Sequence, residues 1–356
     1  MAFETDDYLS RPFRTGGIDL GSKLNELLQL LVPESSPNRE LYQSMLMTVA
    51  RMAQTDRNRW DAKIMAQTLR EMERAFSVLD TFKRRRKVTV FGSARTPVDH
   101  PLYAMAVQLG QLLAKRDLMV ITGAGGGIMA AAHEGAGLEN SIGLNITLPF
   151  EQHANATVDG TDNLLSFHFF FTRKLFFVKE ADALVLCPGG FGTLDEALEV
   201  LTLIQTGKSP LVPVILLDEP GGTYWQDAMG FMERQLLGHR YILPSDMRLM
   251  RRVHSAEDAV ALIAQFYSNY HSSRWLKGEY TLRMNHALSE AAMKRLNNEF
   301  TDLCLSSGFM QHGGCQVGED DAELRGLPRL AFIFNARDHG RLRELLDVIN
   351  DKENWA

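Results

Sequence analysis

Apolar residues recur at helical spacing through the first 80 residues of the chain. Leu24, Leu27, Leu28 and Leu31 keep this period, and the pair Val32-Pro33 ends the segment. Two further periodic stretches, at about residues 40–52 and 60–82, contain neither glycine nor proline. The pattern therefore predicts a helical N-terminal extension over residues 1–84.

From Lys87 onward, short apolar runs alternate with stretches of helical spacing. The runs typical of buried strands lie at 88–91, 118–121, 142–148, 183–187 and 211–217. The predicted helices lie at 103–113, 128–137, 171–180, 192–206, 224–237 and 256–270. Asp99 is predicted to cap the first of them, with Pro101 in its first turn. This alternation predicts an α/β fold over residues 85–271, a doubly wound, Rossmann-like parallel sheet with helices on both faces.

The remaining residues, 272–356, have a different pattern. A helix is predicted at 282–297, a loop rich in glycine and acidic residues at 313–323 and a last helix at 340–350, and an apolar run lies at 330–334. We therefore expect a small α+β appendage at the C-terminus.

Composition excludes several classes of protein. The 356 residues include 38 Lys+Arg and 44 Asp+Glu, a net charge of −6, which argues against general nucleic-acid binding. No apolar run reaches the ~20 residues of a membrane span, and the N-terminus lacks the pattern of a secretory signal. Three cysteines without metal-ligand spacing predict neither a disulfide framework nor a metal site. We expect a cytoplasmic protein, in which the basic run 83–87 is a solvated linker rather than a nucleic-acid patch.

Three glycine-rich turns follow predicted strands. They are Gly92-Ser93, the run Gly123-Ala124-Gly125-Gly126-Gly127, and Gly189-Gly190-Phe191-Gly192-Thr193. Glycine lets backbone N–H groups approach an anion, and a following helix adds the positive end of its dipole. Each turn alone could serve only a tight connection. Three of them at the carboxyl edge of one parallel sheet favour a phosphorylated ligand.

Two common phosphate motifs are absent. The dinucleotide fingerprint requires glycine where the second turn has Ile128, and a P-loop ending at Lys208-Ser209 would need its first glycine at Thr202. The ligand is therefore expected to be bound in another way.

Charged residues flank the third turn. Thr193 and Glu196 have the spacing of a capping box, so Glu196 could merely cap a helix. Alternatively, its carboxylate lies above the phosphate turn and acts as a base or stabilises a developing cation. Upstream, Arg173 and Lys174 interrupt an apolar helix, and a guanidinium in such a helix matches phosphate in a bidentate fork.

These motifs together resemble the LOG (lonely guy) family, whose pattern is RK followed by PGGxGTxxE. Here the residues are Thr172-Arg173-Lys174 and Pro188-Gly-Gly-Phe-Gly-Thr-Leu-Asp-Glu196. The resemblance extends through VTVFGSAR, TGAGGGIM, SIGLNITLPFEQ and ALEVLTLIQTGK, and so covers about residues 85–270. Members of this family, long mislabelled lysine decarboxylases, hydrolyse nucleoside 5′-monophosphates to the free base and ribose 5-phosphate.

The resemblance implies roles for individual residues. Arg173 and Glu196 match the catalytic pair, and Lys174 matches the partner of the arginine. Substrate contacts are expected from Glu151 and from the turn residues Gly92, Ser93, Gly123, Gly125, Gly126, Gly189, Gly190, Gly192 and Thr193. The second turn departs from the family pattern, because Ala124 replaces a glycine. No cofactor and no metal are implied, and relatives assemble as homo-oligomers.

The leading hypothesis is therefore an N-glycosyl hydrolase that acts on AMP, on cytokinin riboside monophosphates, or on both. Cleavage of such a bond passes through an oxocarbenium-like state. Glu196 would stabilise that cation or activate water, and Arg173 would hold the phosphate or assist the departing base. A second hypothesis is a nucleotide-binding or sensing protein without activity on the same scaffold. A third, amino-acid decarboxylation, would need a lysine-bound cofactor for which the sequence offers no context.

Overall fold

A computed structural model describes residues 19–148, 153–276, 278–306, 308–314 and 322–356. The chain divides into two compact units, Met1–Arg70 and Glu71–Ala356. Residues 19–70 of the first unit are mainly helical, as predicted. It contains α1 (Leu20–Leu31), α2 (Arg39–Thr55) and the start of α3 (Arg59–Asp80).

The start and end of α1 follow from local chemistry. Asp19 caps the helix by accepting a hydrogen bond from the Ser22 N–H at 3.3 Å. Val32 adopts an extended conformation, because it precedes Pro33 and the residue before proline is disfavoured in the helical region. A hydrogen bond of 2.8 Å from the Gln43 side chain to that of Asn25 joins α2 to α1.

The second unit contains a parallel sheet of seven strands within the described residues. The strands are β1 (Lys87–Phe91), β2 (Met119–Thr122), β3 (Ser141–Ile146), β4 (Leu164–Phe167), β5 (Ala183–Leu186), β6 (Val214–Leu217) and β7 (Met250–Val253). Their order is β4-β3-β2-β1-β5-β6-β7. The sequence pattern missed β4 and β7. Both are edge strands with polar, partly exposed positions, so they lack the continuous apolar run of a central strand.

Helices cover both faces of this sheet, which confirms the predicted doubly wound class. They are α4 (Pro101–Ala114), α5 (Ile128–Ala136), α6 (Phe170–Glu180), α7 (Phe191–Gln205), α8 (Tyr224–Phe231) and α9 (Ala256–Phe266). One apolar cluster includes residues of α6 and α7, and a second includes residues of α4, α5 and α9. No helix in the part of the chain that the structure describes is long and apolar enough to cross a membrane.

One predicted cap is wrong. The residue that caps α4 is His100 rather than Asp99, because the His100 Nδ1 accepts a hydrogen bond of 3.1 Å from the Leu102 N–H. Pro101 occupies the first helical position, as expected, since its missing N–H needs no partner there.

The C-terminal residues form an antiparallel sheet with two helices. The elements are β8 (Tyr270–Leu276), β9 (Glu279–Met284), α10 (Glu290–Glu299), β10 (Met310–His312), β11 (Arg329–Phe332) and α11 (His339–Ile349). The strand order is β10-β11-β9-β8. The helix predicted at 282–297 is wrong in its first part. Leu282 and Met284 belong to β9, which pairs with both β8 and β11, and tertiary pairing overrides the local helical spacing.

The basic run 83–87 is only partly the solvated linker that we expected. Lys83 is exposed and pairs with Asp80 at 3.1 Å. Lys87, however, is the first residue of β1 and is buried, with its Nζ 3.1 Å from Glu180. Arg86 pairs with Asp182 at 3.0 Å and lies over the ring of Tyr267. Acidic partners therefore compensate the cations of this run.

The direction of the chain through the sheet determines where a ligand can bind. Strand β1 pairs with β2 on one side and with β5 on the other. The chain moves outward from β1 to β4, then returns and continues from β5 to β7. The turns after β1 and β5 therefore lie side by side at the topological switch point, where doubly wound sheets bind ligands.

Candidate functional site

The first and third glycine turns are packed against each other at the switch point. The Ser93 N–H donates to the Pro188 carbonyl at 3.0 Å. A Cβ at Gly92 would lie 2.7 Å from the side chain of Ile128, and one at Gly189 only 2.2 Å from the Thr193 Oγ1. At Gly92 and Gly189, therefore, neighbouring protein atoms already occupy the space that a side chain would take.

The second turn is joined to the first through backbone contacts. The Ser93 carbonyl accepts a hydrogen bond of 3.0 Å from the Ile128 N–H. Gly127 has φ +60°, and a Cβ there would lie 2.2 Å from the Ser93 oxygen, so only glycine fits. Ala124 also has a positive φ, 57°, a conformation that costs free energy for alanine. The departure from the family pattern thus falls at a strained, buried position.

Polar side chains underneath hold the second turn. The Ala124 N–H donates to the Thr122 Oγ1 at 2.9 Å, and that oxygen lies 3.2 Å from the His133 Nε2. Asn155 donates to the Gly125 carbonyl at 3.2 Å. Burial lowers the pKa of His133 to about 4, so the imidazole is neutral at neutral pH. This network supports the turn beneath Gly123 and Gly126.

The third turn leads into α7 without a side-chain cap. Gly190 is the N-cap residue, and because glycine has no side chain it cannot cap the helix. The predicted capping box of Thr193 and Glu196 is therefore wrong. The helix begins at Phe191, which moves Glu196 into its second turn. Nothing lies within 4 Å of the place that a Cβ would take at Gly190 or Gly192. The start of α7 is therefore open to a ligand.

Glu196 is a buried carboxylate that α7 directs toward α6. It is 4% exposed, and its Oε2 has no hydrogen-bond partner within the described residues. Burial raises its pKa to about 7, although the positive charges of Lys174 and Arg173 act in the opposite direction. A carboxyl group that is half ionised at neutral pH can accept or donate a proton during a reaction.

Lys174 connects α6 to α7. Its Nζ lies 2.8 Å from Asp195, 2.7 Å from Glu199 and 3.9 Å from Glu196. Burial is the largest single influence and lowers its pKa, but the hydrogen bonds to Asp195 and Glu199 and the negative charges of Glu196 and Glu199 together outweigh burial and raise it. The ammonium therefore stays charged beside Glu196. The sequence pattern did not single out Asp195 and Glu199, although their spacing with Glu196 places all three near one face of α7.

Arg173 lies on the same helix as Lys174 but has different surroundings. Its guanidinium stacks over the rings of Phe170 and Phe177, at 4.7 and 5.5 Å from their centres. A Cβ at Gly123 of the second turn would lie 3.9 Å from its Nη1. Burial lowers the pKa of Arg173, and Glu196 and Asp195 counteract this effect. Its Nε has no hydrogen-bond partner among the described residues.

The structure thus places Arg173, Lys174 and Glu196 beside one another at the edge where the three turns meet. Glu151, the expected acidic substrate contact, lies outside the described residues. Among the residues that are described, no group of three or more His, Cys, Asp or Glu side chains has the arrangement of a metal site.

Comparison with known proteins gives matches over this α/β core. Residues 126–263 match the family model described as "Possible lysine decarboxylase". The chain is 29% identical over 202 residues to the probable cytokinin riboside 5′-monophosphate phosphoribohydrolase LOGL5 of Oryza sativa subsp. japonica, covering 55% of this chain and 79% of that protein. It is 26% identical over 193 residues to the cytokinin riboside 5′-monophosphate phosphoribohydrolase LOG7 of Arabidopsis thaliana, covering 52% and 85% respectively.

Solved structures also match part of this chain. One is the X-ray structure of a structural genomics target, with 26% identity and a TM-score of 0.38, covering 51% of this chain and 99% of that one. The family model and the curated relatives confirm the resemblance to the LOG family that the motifs predict, at modest identity and over about half of the chain.

Proposed function

We propose that this protein hydrolyses the N-glycosidic bond of nucleoside 5′-monophosphates, releasing the free base and ribose 5-phosphate. AMP and cytokinin riboside monophosphates are the proposed substrates. The observation that carries the proposal is Glu196, a buried carboxyl with a pKa of about 7, held between two cations beside an open glycine turn. The names of the similar proteins support the same reaction.

Each group has a part in the proposed reaction. The phosphate binds at Gly190 and Gly192, where backbone N–H groups and the dipole of α7 favour an anion. Arg173, whose guanidinium stacks on aromatic rings and lies near the second turn, supplies the counter-charge for that phosphate. The bond from C1′ to the base nitrogen breaks with its electron pair on the base, which takes up a proton from solvent. The proton that Glu196 later receives from water returns to solvent. Ionised Glu196 stabilises the positive charge on the sugar and accepts a proton from the attacking water.

The decisive experiment is a panel of nucleoside 5′-monophosphates incubated with the purified protein. We expect free base and ribose 5-phosphate in equal amounts. Binding of nucleotides without release of base would favour the alternative of a binding or sensing protein. Formation of CO₂ and an amine from an amino acid would support the decarboxylase hypothesis instead.

The pH dependence of kcat provides a first prediction. Because the mechanism needs ionised Glu196, and burial raises the pKa of this group to about 7, kcat should rise as the pH increases through 7 and level off above it. A stopped assay of base release across pH 5 to 9 measures this profile. A kcat that falls as the pH rises through 7 would instead assign Glu196 the role of a proton donor.

A second prediction concerns assembly. We propose that the protein is a homo-oligomer and that a second copy covers the apolar side chains that α6 and α7 expose beside the site. These are Phe170, Phe171, Leu175, Phe191 and Leu198, each between 44% and 93% exposed. Light scattering after size exclusion should give a multiple of 40.0 kDa. The double variant Phe171→Asp, Leu198→Asp should give a smaller species, and an unchanged mass would contradict this face as the interface.

The cytoplasmic location and the lack of a nucleic-acid partner remain predictions from composition.

A further inference from the structure

A recess lies at the carboxyl ends of β1, β5 and β6, beside the first and third turns. It is a cavity of about 420 Å³, within the range of small-molecule sites. Its walls include Ser93 of the first turn, Gly189 of the third, and Asp218, Glu219 and Tyr224, which follow β6. None of the last three was a candidate from the sequence.

Asp218 is the most unusual group in this wall. It is fully buried, and its Oδ2 accepts a hydrogen bond of 3.0 Å from the Trp225 N–H. Its Oδ1 has no hydrogen-bond partner within the part of the chain that is described. A buried carboxylate oxygen without a donor is costly, and proteins keep such groups where a ligand or an ordered water completes them.

Glu219 adds a second acceptor without a partner. Its Oε2 makes no hydrogen bond with a described residue, and the His100 Nδ1 lies 3.6 Å from it. That nitrogen already accepts a hydrogen bond from the Leu102 N–H, so it does not serve as the donor to Glu219. The wall of the cavity therefore contains two carboxylate oxygens without a hydrogen-bond donor, and a ligand that bears such donors would complete them.

The cavity is directly joined to the phosphate turn. The Tyr224 hydroxyl donates to the Gly189 carbonyl at 2.8 Å, and Gly189 precedes the N-cap residue of α7. From Gly190 to Glu196 the helix rises by only about 9 Å. A nucleotide bound at the turn is long enough to place its phosphate at the start of α7 and its base in this cavity.

We propose that this cavity is the nucleobase subsite, and that Asp218 with Glu219 selects bases that carry an exocyclic amino group. The inference rests on the proposed function. An amino group gives the Asp218 Oδ1 the donor that it lacks. The deaminated counterpart has a carbonyl oxygen at the same place, which faces the carboxylates as a second acceptor and is disfavoured. AMP is therefore preferred over IMP, and CMP over UMP.

The variant Asp218→Asn tests this selection, because the structure fixes how the new amide is oriented. The Trp225 N–H needs an acceptor, so the amide oxygen must take the place of Oδ2 and the NH₂ group must take that of Oδ1. The wall of the cavity then contains a donor at this place. We expect the wild type to prefer AMP over IMP by about ten- to a hundredfold in kcat/KM, and the variant to lose or invert this preference.

Asp162→Asn, a substitution in an exposed loop, is the matched control and should keep the wild-type ratio. If Asp218→Asn does not fold, Glu219→Gln, at a partly exposed position, should still lower the ratio severalfold. Equal kcat/KM values for AMP and IMP in the wild type would overturn the inference, and so would an unchanged AMP-to-IMP ratio of kcat/KM in a folded Asp218→Asn. Neither result would contradict the proposed hydrolase activity. If no nucleotide is cleaved, the proposed function fails, and the dissociation constants of AMP and IMP then test the subsite by the same ratio.

Discussion

Replacing Glu196 by glutamine is expected to lower kcat for base release by about 10²–10⁴-fold without unfolding the protein. Glutamine has nearly the same shape, but it neither ionises nor accepts a proton, so the cation on the sugar and the attacking water lose their partner. The pH-dependent rise of kcat near 7 should vanish together with the activity, because Glu196 is the group that titrates there.

The same substitution should make the fold more stable at alkaline pH. The pKa of Glu196 is raised from 4.5 to about 7 by burial, so the folded state binds this proton more tightly than the unfolded state. Stability is therefore lost as the pH rises from about 4.5 to about 7. Glutamine cannot ionise and avoids this loss. The thermal midpoint of the variant at pH 8 should exceed that of the wild type by roughly 2–4 °C for each kcal/mol by which the substitution raises the free energy of unfolding.

Activity and stability thus move in opposite directions, a combination that a structural role for Glu196 does not produce. Base release with AMP and thermal melting at pH 8 and pH 5 measure the two effects. Glu233→Gln, at an exposed position, is the control and should change neither. Full activity in Glu196→Gln would refute the proposed mechanism.

Arg173 is expected to give the second-largest effect. Arg173→Ala should lower kcat/KM for AMP by about 10²–10³-fold, mainly through a higher KM, because the phosphate loses its counter-charge in the ground state and in the transition state alike. Arg173→Lys keeps the charge but not the bidentate fork, nor the same stacking on Phe170 and Phe177, and should recover only part of the loss.

Steady-state kinetics with AMP and with adenosine distinguish the two roles considered for this residue. If Arg173 binds the phosphate, the variants should lose activity toward AMP but keep whatever slow activity the wild type has toward adenosine. An equal loss with both substrates, at unchanged KM, would instead assign Arg173 to the departing base. Circular dichroism and thermal melting confirm that each variant is folded.

The sequence predicted the class of the core because its central strands are continuous apolar runs. Short apolar runs such as 88–91 and 183–187 favour buried strands in a globular protein, and the structure places them in β1 and β5. The sequence pattern failed to predict strands whose formation depends on pairing with distant parts of the chain. The edge strands β4 and β7 and the hairpin of β8 and β9 are stabilised by neighbours that are distant in sequence, and local spacing does not reveal those neighbours.

The candidate site was also predicted only in part from the sequence. The RK and PGG motifs singled out Arg173, Lys174 and Glu196 from residue type and spacing alone. However, the spacing also suggested that Glu196 caps the helix. Only the start of α7 at Phe191 excludes this, because it moves Glu196 into a buried position facing Lys174. Asp218 was not considered, because an acidic residue after a strand is common. Only the folded structure shows that its Oδ1 lacks a hydrogen-bond donor among the described residues.

By itself, the sequence determined that this chain contains a doubly wound α/β core, that three glycine turns lie at its ligand-binding edge, and which charged residues accompany them. These properties depend on local spacing and on the short side chains that tight turns require. The tertiary structure decided which glycines are open to a ligand and which face neighbouring atoms, the raised pKa of Glu196, and the cavity beside Asp218. The physical reason is that burial and electrostatic interaction depend on distances between residues far apart in the chain, and folding alone sets those distances.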